Sequence, residues 1–205
     1  MDTKKKYILF SVILIVGIAL DQVTKWIASA ELLGEGRKEI LGKLFSFTYA
    51  ANEGAFLSLG ATWPPAIRLI VLTILPGILL LGFLVYMLRS DKHGKTMSIA
   101  FALVAAGGIG NIIDRILNGF VVDFMHMDFG IFQTGVFNVA DIYIMVGVGI
   151  FILIMIKERN KGKEEVEESA KIPASEGKVS LYDQVEIPIE YEEVLPDNRD
   201  THPNG

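Results

Sequence analysis

Four segments of this chain are apolar over close to the length that crosses a bilayer: residues 7–27, 67–88, 96–116 and 139–156. A transmembrane helix needs roughly 20 mostly apolar residues, and in lipid only a helix or a closed barrel satisfies its own backbone. The fold class that follows is an all-α membrane protein with four transmembrane helices. The second segment is uncharged from 69 to 88, with Pro76 as an expected kink. The others share an irregularity. The first and third reach full length only by including Asp21 and Asp114 near one end, and the fourth begins with Asp141. Ionisable groups at membrane depth are costly and mark working sites.

Lysine and arginine in the flanks set the orientation. Lys4, Lys5 and Lys6 precede the first segment, the basic turn 89–95 joins the second and third, and Lys157, Arg159, Lys161 and Lys163 follow the fourth. All three belong on the cytoplasmic side, although Arg37, Lys38 and Lys43 lie in the first outer loop. Both termini are then cytoplasmic, and the N-terminal segment is a retained span, because no small-x-small cleavage site follows it. Traced through this topology, Asp21, Asp114 and Asp141 reach one depth on three helices, near the outer surface.

The composition narrows the chemistry. With no cysteine, thiol catalysis and disulfides are excluded. His93, His126 and His202 form no metal-ligand spacing, so neither a metal nor another cofactor is expected. The formal charge of −5 is uneven: residues 164–205 carry twelve acidic and three basic side chains, leaving the body at +4. Residues 1–163 are read as the membrane domain, with outer loops 28–66 and 117–138, and 164–205 as an acidic, flexible cytoplasmic tail. Alternating apolar residues at 181–195 suggest a pairing segment within it. Phe45, Phe47 and Tyr49 alternate with small polar residues, and 120–132 alternates more loosely, so a small extracytoplasmic β-cradle is expected. Trp63-Pro64-Pro65 reads as an interfacial anchor and helix start.

Asp114 and Asp141 are the leading pair. Two carboxylates close together in a low dielectric share one proton, so one can activate water while the other polarises a carbonyl. The structural alternative makes Asp114 and Arg115 interfacial charges and Asp141 a helix cap beside Asn138. Asn111 shares a face with Asp114 at i, i+3, and Gly107, Gly108 and Gly110 allow a close helix neighbour. Asp21 and Lys25, at i, i+4, read as an ion pair at the outer surface. Asn52 and Gly54 read as a turn, and His126 as a surface residue.

Five ordered motifs carry a family resemblance: DQVTK at 21–25, NEGAF at 52–56, GGIGNIIDR at 107–115, VVDF at 121–124 and FNVAD at 137–141. Together they resemble lipoprotein signal peptidase (signal peptidase II) over about residues 7–156. The resemblance implies a membrane aspartic endopeptidase whose catalytic pair is Asp114 and Asp141. Its supporting or substrate-binding positions map onto Asp21, Lys25, Asn52, Gly54, Gly108, Asn111, Arg115, Asp123, Asn138 and Ala140. It further implies removal of signal peptides from diacylglyceryl-modified prolipoproteins before the lipidated cysteine, at the outer face of the bacterial cytoplasmic (inner) membrane. Inhibition by globomycin follows from it, with no metal and no other cofactor. The expected partners are the lipid-modified prolipoprotein and membrane phospholipids; a monomer without nucleic acid is expected. At headgroup depth, Arg115 and Lys25 are candidates to hold phosphates or a substrate carbonyl, and Ala105, Ala106 and Val139 to leave room for a peptide. The alternatives are a proton-coupled carrier using the same aspartates, and a scaffold acting through the tail.

Overall fold

The computed structural model describes residues 3–55, 58–89 and 94–171. Phe56, His93, His202 and the 181–195 segment of the tail lie outside these. The chain divides into two compact units, Met1–Arg159 and Asn160–Gly205, and every residue discussed below belongs to the first.

Among the described residues, four helices are long and apolar enough to cross a membrane. The first is α1 (Thr3–Leu32), and the second is built from α2 (Pro65–Leu69), a π-helical turn (Ile70–Ile74) and α3 (Leu75–Arg89). The third and fourth are α4 (Lys95–Asn118) and α5 (Val139–Lys171). Pro65 opens α2 at its first position, where a missing N–H costs nothing. Pro76 can neither donate to the carbonyl four residues back nor clear it sterically. The irregularity expected at Pro76 takes the form of a widened turn just ahead of it.

Between the spans lies a three-stranded antiparallel sheet, ordered β1 (Lys38–Glu39), β2 (Phe45–Asn52) and β3 (Val121–Met127). A register shift between Phe47 and Ala50 interrupts the β2–β3 ladder. Phe45, Phe47 and Tyr49 pack against Ala28 and Leu32 of α1 together with Phe124 and Met125. The greasy face read from the alternation thus fastens the sheet to the end of the first span.

α4 is the central helix, burying Ala100, Ala102, Ala105 and Ala106 completely, while the flanks of the other spans stay apolar and exposed, as lipid contact requires. Small residues let its neighbours close in. A side chain at Gly107 would meet the carbonyl of Ala140, and one at Gly110 would meet the Asp21 carboxylate. Gly108 faces the Leu80 side chain at 3.3 Å instead. Ala105 and Ala106, expected to leave room for a peptide, are used in packing. α4 ends at Gly119, whose φ of +81° is the left-handed cap a glycine adopts without strain. β3 starts two residues later, so the chain turns back over the last turn of α4.

Gly107→Ala drives a methyl group into backbone of α5. A loss of about 1–3 kcal/mol is expected, read as a lower unfolding midpoint in detergent. An unchanged midpoint would show that α4 and α5 do not meet there.

Candidate active site

The polar residues of the spans converge on Lys25. Its ammonium lies 2.9 Å from Asp21 Oδ2 and 3.1 Å from Asp114 Oδ2, and it donates to Asn111 Oδ1 at 2.9 Å. Lysine has three donors, and all three are engaged. Asp21 and Lys25 are paired as expected, but in the interior rather than at a surface. Lys25 is therefore not available for a phosphate or a substrate carbonyl. Asp21 also reaches the start of α5, accepting the Ala140 N–H at 2.9 Å.

Asp114 is enclosed in the same cluster. Gln22 Nε2 donates to its Oδ1 at 3.1 Å, and the backbone N–H of Val122 donates to its Oδ2 at 3.1 Å. Gln22 also lies within hydrogen-bonding distance of Asp21 Oδ2 and the Gly110 carbonyl. Sequence reasoning passed over this residue, although an amide inside a bilayer-length helix was a signal.

Asp141 is set by a helix cap. Asn138 Oδ1 accepts the Asp141 N–H at 3.0 Å, and Asp141 Oδ2 accepts the Asn138 N–H at 3.1 Å, the reciprocal pattern of a capping box. The expected cap is therefore present with the roles shifted: Asn138 caps α5, and Asp141 is the third residue of the helix, not the cap. Asn111 Nδ2 donates to the other oxygen at 2.9 Å. Asp114 and Asp141 are linked through Lys25 and Asn111, not brought to one cavity.

Asp123 is brought there instead. Asn138 Nδ2 donates to its Oδ1 at 2.6 Å and Asn52 Nδ2 to its Oδ2 at 2.8 Å. Asp123 and Asp141 line one small cavity of about 30 Å³ with Asn52, Asn111 and Arg115. A cavity needs roughly 10–15 Å³ to admit a water, so this space can hold water among several polar groups. The resemblance gave Asp123 a supporting place; the structure sets it on the same cavity as Asp141. Burial is the main force pushing the Asp123 carboxyl up to about 6; the nearby Asp141 charge adds to it, and the Asn52 hydrogen bond opposes it.

The turn read at Asn52 and Gly54 is an Asx turn, with the Gly54 N–H on Asn52 Oδ1 at 3.0 Å. The Gly54 carbonyl accepts from Arg115 Nη2 at 3.0 Å. A side chain at Gly54 would collide with the backbone of Ser58 and Leu59. His126 is buried on β3 opposite Ser46, not a surface residue as expected, and it lies outside this network.

A larger cavity of about 420 Å³ opens beside the small one, reaching Asp141, Asn111 and Arg115 at one end and Pro76, Ile112 and Ile144 at the other. An apolar cavity of about 280 Å³ shares Pro76, Gly108, Ile112 and Ile144 and continues to Leu79 and Phe83. A greasy groove thus runs down the bundle from the carboxylates.

A family model described as signal peptidase (SPase) II matches residues 13–157. The chain belongs to the signal peptidase II family. A lipoprotein signal peptidase of Halalkalibacterium halodurans is 35% identical over 160 residues, covering 77% of this chain and 97% of that protein. One from Streptococcus pyogenes is 38% identical over 163 residues, covering 78% and 99%. A bacterial membrane enzyme solved by the in meso method at 2.3 Å resolution superposes with a TM-score of 0.66 at 25% identity, covering 75% of this chain and 90% of that one. A second, at 1.9 Å resolution, gives 0.64 at 27% identity, covering 73% and 93%. The protein is a multi-pass membrane aspartic peptidase. A proton-coupled carrier does not fit that membership.

Lys25→Met strands two buried carboxylates, and removing one partner of a buried pair costs about 3–5 kcal/mol. The variant should unfold at clearly lower denaturant, and adding Asp114→Asn should restore part of the loss. Strict additivity of the two changes would show that the residues do not interact.

Proposed function

We propose that this peptidase removes signal peptides from diacylglyceryl-modified prolipoproteins, cleaving before the lipidated cysteine, with Asp123 and Asp141 as the catalytic pair. This departs from the Asp114–Asp141 pair expected from the motifs. The observation that carries it is Asn138, which holds Asp123 with its side chain and Asp141 with its backbone, on a cavity that admits water. Asp114 is given the structural place, with both oxygens occupied by Gln22, Lys25 and Val122.

The chemistry follows from two acids sharing one proton. Asp123, pushed up to about 6, holds the proton and donates it to the oxygen of the scissile carbonyl. Asp141 takes a proton from the water as its oxygen bonds to the carbonyl carbon, giving a gem-diol. Asp141 then passes that proton to the leaving nitrogen, the C–N bond breaks, and a diol hydroxyl returns its proton to Asp123. Asn111, Asn138 and Asn52 keep the acids aimed throughout, and Arg115 offers a cation beside the developing charge. The apolar groove from Asp141 to Phe83 suits the hydrophobic part of a lipidated substrate arriving sideways from the bilayer. The site is assigned to the outer face of the inner membrane, with both termini cytoplasmic, on the positive-inside bias.

Asp123→Asn and Asp141→Asn should each abolish turnover of a lipidated precursor by the purified protein, with folding retained. Asp114→Asn should leave measurable cleavage and lower the unfolding midpoint. Full loss in the properly folded Asp114 variant, with activity surviving at Asp123→Asn, would return the pair to the motif-based assignment.

The proton on Asp123 also fixes a pH dependence. The carboxyl is protonated below about 6 and ionised above it, so kcat/KM should fall as pH rises through that value. Asn52 stabilises the ionised form, so Asn52→Ala should move the fall to higher pH. A profile flat across this range, or displaced downward in the variant, would rule out Asp123 as the acid.

A further inference from the structure

A fourth cavity, of about 210 Å³, lies at the end of the bundle where α2 begins and α4 finishes. Arg68 enters it from α2 and Arg115 from α4, with Thr73 and Leu72 of the π-helical turn among its walls. Arg68 is partly buried and paired with the carboxylate of Glu53, which is itself half exposed. The guanidinium of Arg68 therefore already receives an oxyanion, held only from a solvent-facing loop. Arg115 keeps a buried Nε donor without a hydrogen-bond partner. Such a donor is costly unless an acceptor reaches it. Leu69 lines the same cavity and is 52% exposed on the flank of the span, where lipid chains pack. Two guanidinium groups, a hydroxyl and an apolar edge at a span terminus make a recognisable combination. It matches a phosphate carrying acyl chains.

We propose that this cavity binds the phosphate of an anionic phospholipid headgroup, one with no cation to offset it, through Arg68 and Arg115, in exchange for the Glu53 carboxylate. Planar guanidinium forks match phosphate oxygens in pairs, which an ammonium does not. Arg115 also lines the cavity of Asp123 and Asp141. An occupied lipid site therefore fixes the cation that stands beside the two acids, and couples the peptidase centre to the composition of its membrane. The proposal concerns a ligand other than the substrate and does not rest on which acids are catalytic.

The test uses the full chain in phosphatidylcholine vesicles containing spin-labelled phosphatidylglycerol or, separately, spin-labelled phosphatidylcholine. The motionally restricted fraction of each label reports the lipid held at the protein. Phosphatidylglycerol should be preferred by about tenfold, the factor that ~1.4 kcal/mol supplies. R68Q should lose that preference. E53Q, which removes the competing carboxylate, should strengthen it, and this opposite sign cannot come from misfolding. R37Q, changing an exposed arginine elsewhere, should leave it alone. Equal retention of the two labels, an unchanged preference in R68Q, or a weaker one in E53Q would overturn the proposal. Loss of the preference on adding inorganic phosphate at matched ionic strength would also overturn it, by showing that the site takes its anion from solution.

Discussion

A buried lysine is the constraint on which the rest of this structure depends. Carboxylates within a helical bundle must be neutralised or paired, since an ion removed from water loses several kcal/mol of solvation. Lys25 meets that demand for Asp21 and Asp114 together, and adds Asn111 as its third acceptor. Each contact also has a geometric consequence. The Lys25–Asp114 pair ties α1 to α4, and Asp21, held by Lys25, ties α1 to the first turn of α5 through the Ala140 N–H. Three helices are brought to a common level by one ammonium. The glycines at 107 and 110 are the steric counterpart, because the bonds form only where the backbones come this close.

With that frame in place, the acids divide by environment. Asp21 and Asp114 have their oxygens occupied by cations, amides and backbone donors, so they are buried charge with a fixed partner. Asp123 and Asp141 accept hydrogen bonds from asparagines, which are neutral, and both border space that water can enter. A pair held by neutral donors can trade a proton; a carboxylate locked against an ammonium has little reason to. The family membership says that the protein is an aspartic peptidase, and this difference in partners is the physical basis for choosing between the acids.

The spans were legible in the sequence because lipid leaves so few options: composition and length alone place all four, although α5 continues to Lys171, well past the expected end at 156. The sheet was legible from Phe45, Phe47 and Tyr49, whose alternation faces the end of α1. A cap at the start of α5 was legible as well, although the capping residue is Asn138 and not Asp141. What misled was depth. Reasoning from helices selects the acids that helices carry, so Asp114 was matched with Asp141, while Asp123, in the stretch expected to join the β-cradle, was given a supporting place. The deciding feature is Gly119, where a left-handed cap folds the chain back and sets β3 over the end of α4. No periodicity in the sequence announces where the third residue of that strand will point. The roles of Gln22 and Arg68 were hidden for a related reason, since their partners are more than ten residues away in the chain.

Asn138 joins the two levels of this description. As the cap of α5 it fixes the backbone from which Asp141 projects, and its side-chain amide reaches Asp123 and Asn111. The spacing of the acids is therefore set by the geometry of a helix terminus, among the stiffest local structures available to a chain. A site held by flexible side chains alone would have to be ordered anew at each turnover. Here the ordering is already present in the start of a transmembrane helix, and that start is anchored in turn by Asp21 and Lys25. The chain of support runs from the buried ammonium to the cap and from the cap to both carboxylates, so residues that line no cavity with Asp123 and Asp141 still set how those two acids are held.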